Sequence, residues 1–162
     1  MALISYTSAD EVRATLGISS KELDDATVAL NTYETQLLTE LDEISTGLNA
    51  DYLTTSAISP GSRTAAQQRF VVLTQLFSTY SVSKALMSSQ AMFSPKRITD
   101  GKAEVERFSD AYKFIREGLE INYANIKVKL ALAYVAFGGI AVIVPARVYF
   151  QVSAGTDPVT GA

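Results

Sequence analysis

The 162-residue sequence contains no cysteine, no histidine and no tryptophan. Without cysteine there is no disulfide framework and no thiolate ligand, and the redox compartment cannot be read from cysteine usage. Without histidine as well, the usual zinc, haem and iron–sulfur ligand sets fall away. The same absences remove cysteine-protease and Ser-His-Asp machinery. No cofactor and no metal are expected. Charge is also sparse: 14 Lys and Arg against 17 Asp and Glu, a net −3. A protein that coats nucleic acid wants clustered cations, and no such cluster dominates here. What the chain does have is apolar residues, 48% of the total. That is enough for a core and argues for one folded domain rather than wholesale disorder. Met1 to Thr7 lack the basic and apolar regions of a signal peptide, so synthesis in the cytoplasm is the expectation.

Helix signals begin at once. Ser8 with Glu11 three residues on is a capping box, in which each side chain satisfies a backbone donor of the helix start. Val12 and Leu16 give a short apolar face, and Gly17 is a natural stop. A second box, Ser19 and Glu22, opens a helix expected from Ser20 to Ile44, with Leu23, Ala26, Leu30, Tyr33, Leu37, Leu41 and Ile44 at spacings of three and four. The segment 45–62 is rich in Ser, Thr and Gly, contains Pro60-Gly61, and reads as a loop. It is long for a helix–helix connection, which leaves a partner contact and a solvated connector both open. A third helix is expected from Thr64 to Met92, its stripe of Phe70, Leu73, Phe77, Tyr80, Lys84 and Met87 read as core.

Pro95 interrupts the pattern between Phe93 and Thr99, and Asp100 is placed to cap a fourth helix. Val105, Phe108, Tyr112, Ile115, Leu119, Ile126, Leu130 and Phe137 keep one phase along it. Lys102 with Glu106, Lys113 with Glu117 and Arg116 with Glu120 are opposite-charge pairs four apart that support an exposed face. From Asp100 to Phe137 such a helix exceeds about 50 Å at roughly 1.5 Å per residue. A domain of this size cannot cover that length, so part of the helix projects toward neighbours or it kinks near Gly118. Gly138-Gly139 ends it. Val142, Val144, Val148, Phe150 and Val152 then alternate with other residues as an extended or β segment, with Pro145 confining it to an edge. The expected fold is mainly α: a bundle of about four helices over residues 1–138 with one very long C-terminal helix, followed by an extended or β C-terminal arm over 139–162.

Leu130 to Ala146 are 17 residues without a charge, near the lower limit of a membrane span. Gly138, Gly139 and Pro145 break the run, and its second half alternates. A buried surface between subunits explains the same residues without a membrane. Acidic residues such as Asp24-Asp25, Glu40, Asp42-Glu43 and Glu104 with Glu106 read as solvated faces. Asp110 and Glu117 lack a second cluster at metal spacing, and no phosphate-cradling glycine motif occurs. No enzyme is expected. Lys96, Arg97 and Lys102, with Arg107 beyond, form a local basic patch. It is read either as a basic loop and helix start or as a contact for an acidic partner surface or DNA phosphates.

Two stretches carry a family likeness. The first is Tyr6-Thr7-Ser8-Ala9-Asp10-Glu11-Val12-Arg13-Ala14-Thr15-Leu16-Gly17-Ile18-Ser19, followed by Glu22-Leu23-Asp24-Asp25. The second is Phe93-Ser94-Pro95-Lys96-Arg97-Ile98-Thr99-Asp100-Gly101-Lys102-Ala103, then Glu106-Arg107-Phe108. Together they resemble the head-to-tail adaptor, or connector, proteins of tailed bacteriophages, over about Leu3 to Phe137. The resemblance implies a mainly helical structural protein of the virion, a homo-oligomeric ring under the portal, commonly a dodecamer. Such a ring sits at the head–tail junction, binds the portal protein, continues the channel through which genomic DNA passes and offers a platform to tail or nozzle proteins. It also implies that a C-terminal arm docks on the portal or a neighbouring subunit, a role that falls here on Val142, Val144, Val148, Phe150 and Val152. The competing readings are a small membrane-associated helical protein using residues 130–146, and another virion ring component such as a tail-completion protein.

Overall fold

The computed structural model describes residues 3–90, 98–100, 103–105 and 109–141. The chain is mainly helical. Helix α1 (Ala9–Leu16) begins at the first capping box: the Ser8 hydroxyl accepts the Glu11 N–H at 3.2 Å, and the Glu11 carboxylate accepts the Ser8 N–H at 3.0 Å. Two donors that the first turn leaves unpaired are thereby satisfied. The helix stops at Gly17, whose φ of +67° is the left-handed conformation glycine adopts without strain. Gly17 N–H closes on the Ala14 carbonyl and Ile18 N–H on that of Arg13, which is the double closure of a Schellman end.

The helix expected from Ser20 to Ile44 is two helices, α2 (Asp25–Val28) and α3 (Asn31–Ile44). The reason lies in a competition for backbone groups. In a continuous helix the Thr27 N–H would bond the Leu23 carbonyl. Instead Thr27 N–H goes to the Asp24 carboxylate at 2.6 Å, and the Leu23 carbonyl accepts Arg13 Nη1 at 3.1 Å. Arg13 is buried and also grips Asp25 at 2.6 Å and Asp10 at 2.7 Å. Leu30 then adopts an extended backbone, φ −61° and ψ 133°, and points outward rather than joining the buried stripe. Leu37, Leu41 and Ile44 keep that stripe and are fully buried.

The segment 45–62 is not a loop throughout. It holds α4 (Leu48–Ser56) and a 3-10 turn at Pro60–Ser62. Its Ser, Thr and Asn content hides an apolar spacing of Leu48, Tyr52 and Thr55, all buried. Tyr52 stacks on Tyr6 with ring centroids 5.0 Å apart and donates its hydroxyl to the Ser5 carbonyl at 2.6 Å. The Tyr6 hydroxyl in turn bonds the Asn49 side chain. Arg63 closes the far end, with Nη2 to the Ser56 carbonyl at 2.7 Å and Nε to that of Ile58 at 2.9 Å. What a composition rich in turn formers suggests as a connector is a wall of the core.

Helix α5 (Ala65–Gln90) starts on a third box, Thr64 with Gln67: Gln67 N–H donates to the Thr64 hydroxyl at 3.2 Å and Thr64 N–H to the Gln67 side chain at 2.8 Å. It runs through the middle of the molecule, touching α1, α3, α4 and α6. Phe70, Phe77 and Met87 are buried, as their stripe predicts. Thr74 and Ser78 are buried too, and each hides its hydroxyl by donating it to the carbonyl four residues back, at 2.9 Å and 2.8 Å.

The fourth helix does not begin at Asp100. Residues Ile98–Asp100 (β1) and Ala103–Val105 (β2) pair antiparallel, Ile98 opposite Val105 and Asp100 opposite Ala103. Ile98, Thr99 and Val105 are β-branched and Gly101 is a poor helix residue, so this stretch favours paired strands over a helical turn. Helix α6 (Ser109–Phe137) comes next and passes Gly118 as one helix. It lies antiparallel to α5, because Phe70 stacks on Phe137 at 4.9 Å while Phe77 meets Tyr123 at 5.2 Å. Tyr134 donates to Asp51 at 2.7 Å and Lys127 pairs with Glu43 at 2.8 Å, tying α6 to α4 and α3. At its end Gly138 has φ +111°, and a Cβ on Gly139 would collide with the Tyr134 ring. Only glycine fits there. Among the described residues no helix is long and apolar enough to cross a membrane.

Candidate interaction surface

The sequence points to two sites, and both fall outside the described residues: Val142, Val144, Val148, Phe150 and Val152 in the tail, and Lys96, Arg97 and Lys102 before α6. The described residues present a different surface. The inner face of α6 is Leu119, Ile126, Leu130 and Tyr134, all buried against α5 and its neighbours. On the outer face Phe114 is 71% exposed, Ile121 62%, Leu132 51% and Val135 50%. Phe114, Ile121, Val128 and Val135 recur every seven residues. That spacing drifts by only about 20° per repeat on a helix, so the four form a line, opposite the buried side. Val128 in that line is half-buried, and Ala131 at its flank is buried in the core. A helix apolar on two opposite faces is a helix with two neighbours, and the described chain supplies one side only.

A second, smaller apolar patch sits on α5. Val72 and Leu76, one turn apart, are both exposed, while Thr79 and Ser83 further along the same face are buried. The line on α6 is legible as a heptad. It is masked because a second phase, from Ile115 through Leu119, Ile126 and Leu130, runs along the same helix and draws the eye first.

Four of the acidic residues that the sequence offers, Asp24, Asp25, Glu40 and Glu43, have structural partners. Asp24 caps α2 and is held below the usual carboxylate range by the hydroxyl and the N–H of Thr27. Asp25 binds Arg13, Glu43 binds Lys127, and Glu40 accepts from Gln36 at 3.2 Å. The tyrosines between the helices behave as struts. Burial, followed by the charges of Glu40 and Glu43, pushes the Tyr123 hydroxyl well above its ordinary value, and Lys84 lies 4.1 Å over its ring. Burial and the bond to Asp51 raise Tyr134 in the same direction. These hydroxyls therefore stay protonated at neutral pH and serve as donors, not as bases.

A small open cavity of about 160 Å³ lies between α3, α5 and α6, lined by Gln36, Lys84, Arg116 and Glu120 among others. It is below the roughly 300–1,000 Å³ of small-molecule sites. Among the described residues no group of three or more acidic side chains is placed to hold a metal ion. No family model, no curated protein and no solved structure matches the chain.

Proposed function

We propose that this chain is a structural protein of a tailed-phage virion, forming a ring under the portal that joins head to tail and continues the DNA channel. The observation that carries the proposal is the apolar outer face of α6, a surface that a chain working alone has no use for. The motifs Tyr6–Ser19 and Phe93–Phe108 supply the class of assembly. In this reading the helices of residues 1–138 make the body of the ring, α6 being its longest strut. Residues 139–162 form an extended arm, in which Val142, Val144, Val148, Phe150 and Val152 add to a strand of the portal or of a neighbouring subunit. Backbone hydrogen bonds give such an arm affinity, and alternate side chains give it specificity. A net charge of −3 suits a conduit, because an acidic lumen repels DNA phosphates and lets the genome slide. Lys96, Arg97 and Lys102 then contact an acidic partner surface or passing phosphates.

The test is electron microscopy of the purified chain mixed with the portal protein encoded near it. A symmetric ring added to one end of the portal, matching its subunit number, is the expected result. Bare portals at saturating chain would overturn the proposal.

A further inference from the structure

We infer that residues 20–44 form a conformational switch between the broken helix of this structure and one continuous helix, with Arg13 as its latch. The segment contains no glycine and no proline, so nothing in its own sequence forbids a helix over its whole length, about 37 Å at roughly 1.5 Å per residue. The start is already in place. Leu23 N–H bonds the Ser19 carbonyl at 3.1 Å, a helical closure, and Ser19 N–H donates to the Glu22 carboxylate at 2.9 Å. The helix is then interrupted at two extended residues, Asp24 with φ −78° and ψ 161°, and Leu30 with φ −61° and ψ 133°.

The two forms bury different residues. On a continuous helix Leu23, Ala26, Leu30, Tyr33, Leu37 and Leu41 share one face, whereas Val28 lies about 140° round from Leu23 at roughly 100° per residue. In the broken form Val28 is 3% exposed, Leu30 is 51% exposed, and Ala26 is exposed as well. A continuous helix reverses that choice: Ala26 and Leu30 rejoin the stripe of Leu37, Leu41 and Ile44, and Val28 leaves the core. The segment therefore carries two mutually exclusive apolar frames. The second frame also has a surface to cover. Lys127 pairs with Glu43, and Tyr123 lies beside Glu40, offsets of 84 and 83 positions, so α3 and α6 run parallel. At that offset residues 26–30 fall level with residues 109–114, the first turns of α6, which α3 stops short of. Ile115, one turn before the buried Leu119, is 38% exposed there.

The latch acts on a single acceptor. Arg13 Nη1 takes the Leu23 carbonyl at 3.1 Å, the group that Thr27 N–H needs in a continuous helix, and also binds Asp25 at 2.6 Å, while Nη2 binds Asp10 at 2.7 Å. Arg13 is buried, but the side chains of Asp10 and Asp25 are 91% and 80% exposed. Salt, or a cation that reaches those two carboxylates, therefore loosens the latch from outside.

Backbone NMR of the wild type, Arg13→Gln, Asn31→Pro and the double variant tests the switch. Asn31 is the first residue of α3, where proline fits, and Leu30 already has the extended backbone that a following proline imposes. In a continuous helix the same proline sits in the interior and breaks it. The expected result is a Leu30 Cα resonance that moves to the helical side in Arg13→Gln and returns to the wild-type position in the double variant, with Asn31→Pro alone like the wild type. A Leu30 resonance that stays on the extended side in folded Arg13→Gln would overturn the switch, as would a helical one that persists in the double variant. Where Arg13→Gln unfolds, Asp25→Asn weakens the latch at an exposed partner and reads the same resonance: movement to the helical side supports the switch, and the wild-type position overturns it.

Discussion

The two long helices are neighbours of similar length, α5 with 26 residues and α6 with 29, and they are used in opposite ways. Helix α5 is enclosed along most of its length. It buries not only Phe70, Val71, Phe77, Val82 and Leu86 but also Thr74, Ser78, Ser81 and Ser83. These small hydroxyl residues let α1, α3, α4 and α6 approach its backbone closely. Helix α6 is enclosed on one side only and spends large apolar side chains on the other. Burying a Leu or Ile stabilises by roughly 1.5–3 kcal/mol relative to leaving it in water. The outer line of α6 therefore forgoes several such contributions until a partner arrives. Periodicity in a sequence shows that a helix has an apolar face. The number of such faces, set against the number of elements left to cover them, shows whether the chain is complete by itself.

Substitutions at matched places sharpen that contrast. Phe70→Ala, at the stacked centre of the α5–α6 contact, should cost about 3–5 kcal/mol of stability in urea denaturation. Gly139→Ala drives a methyl into the Tyr134 ring and should cost about 1–3 kcal/mol, because backbone or ring must shift. Ser8→Ala removes one half of the first capping box and should cost about 1 kcal/mol.

Alkaline pH probes the inner face through its tyrosines. Tyr6, Tyr52, Tyr123 and Tyr134 are all raised by burial above the ordinary value of 10.0. A raised folded pKa means that, above about pH 10, the unfolded chain releases protons the folded chain retains, so stability is full below that pH and falls above it. Denaturation series from pH 7 to pH 11 should show the fall, and Tyr123→Phe should flatten it. The smallest effect on stability should be at the outer line. Leu132→Asp is expected within about 0.5 kcal/mol of wild type, while it removes self-association.

Much of this fold is legible in the sequence. The Ser8–Glu11 box, the stop at Gly17, the stripe of α3 from Tyr33 to Ile44 and the course of α5 all obey local rules that nothing distant overrides. The break at Leu23 to Leu30 is not legible, because its cause is Arg13, which takes the Leu23 carbonyl from ten positions away in the sequence. Helix α4 is hidden by residues that favour turns locally, and its reality depends on burial of Leu48 and Tyr52 by segments distant in the chain. The hairpin at Ile98 to Val105 is hidden because Val105 also fits the helical phase of α6. The outer line of α6 is readable as four apolar residues at a spacing of seven. One phase in that helix is buried within the fold from Leu119 to Tyr134 and the other is not, and spacing alone treats the two alike. The tail and the basic patch lie outside the described residues and stand on the sequence.

Sedimentation velocity of the wild-type chain and of Leu132→Asp, over a hundredfold range of concentration, tests the central claim most directly. The outer face of α6, if it is an assembly surface, gives a wild type whose sedimentation coefficient rises with concentration toward a multi-subunit species, and a variant that stays monomeric with the same circular dichroism. A wild type that remains monomeric at every concentration, or a variant that associates as the wild type does, would contradict it.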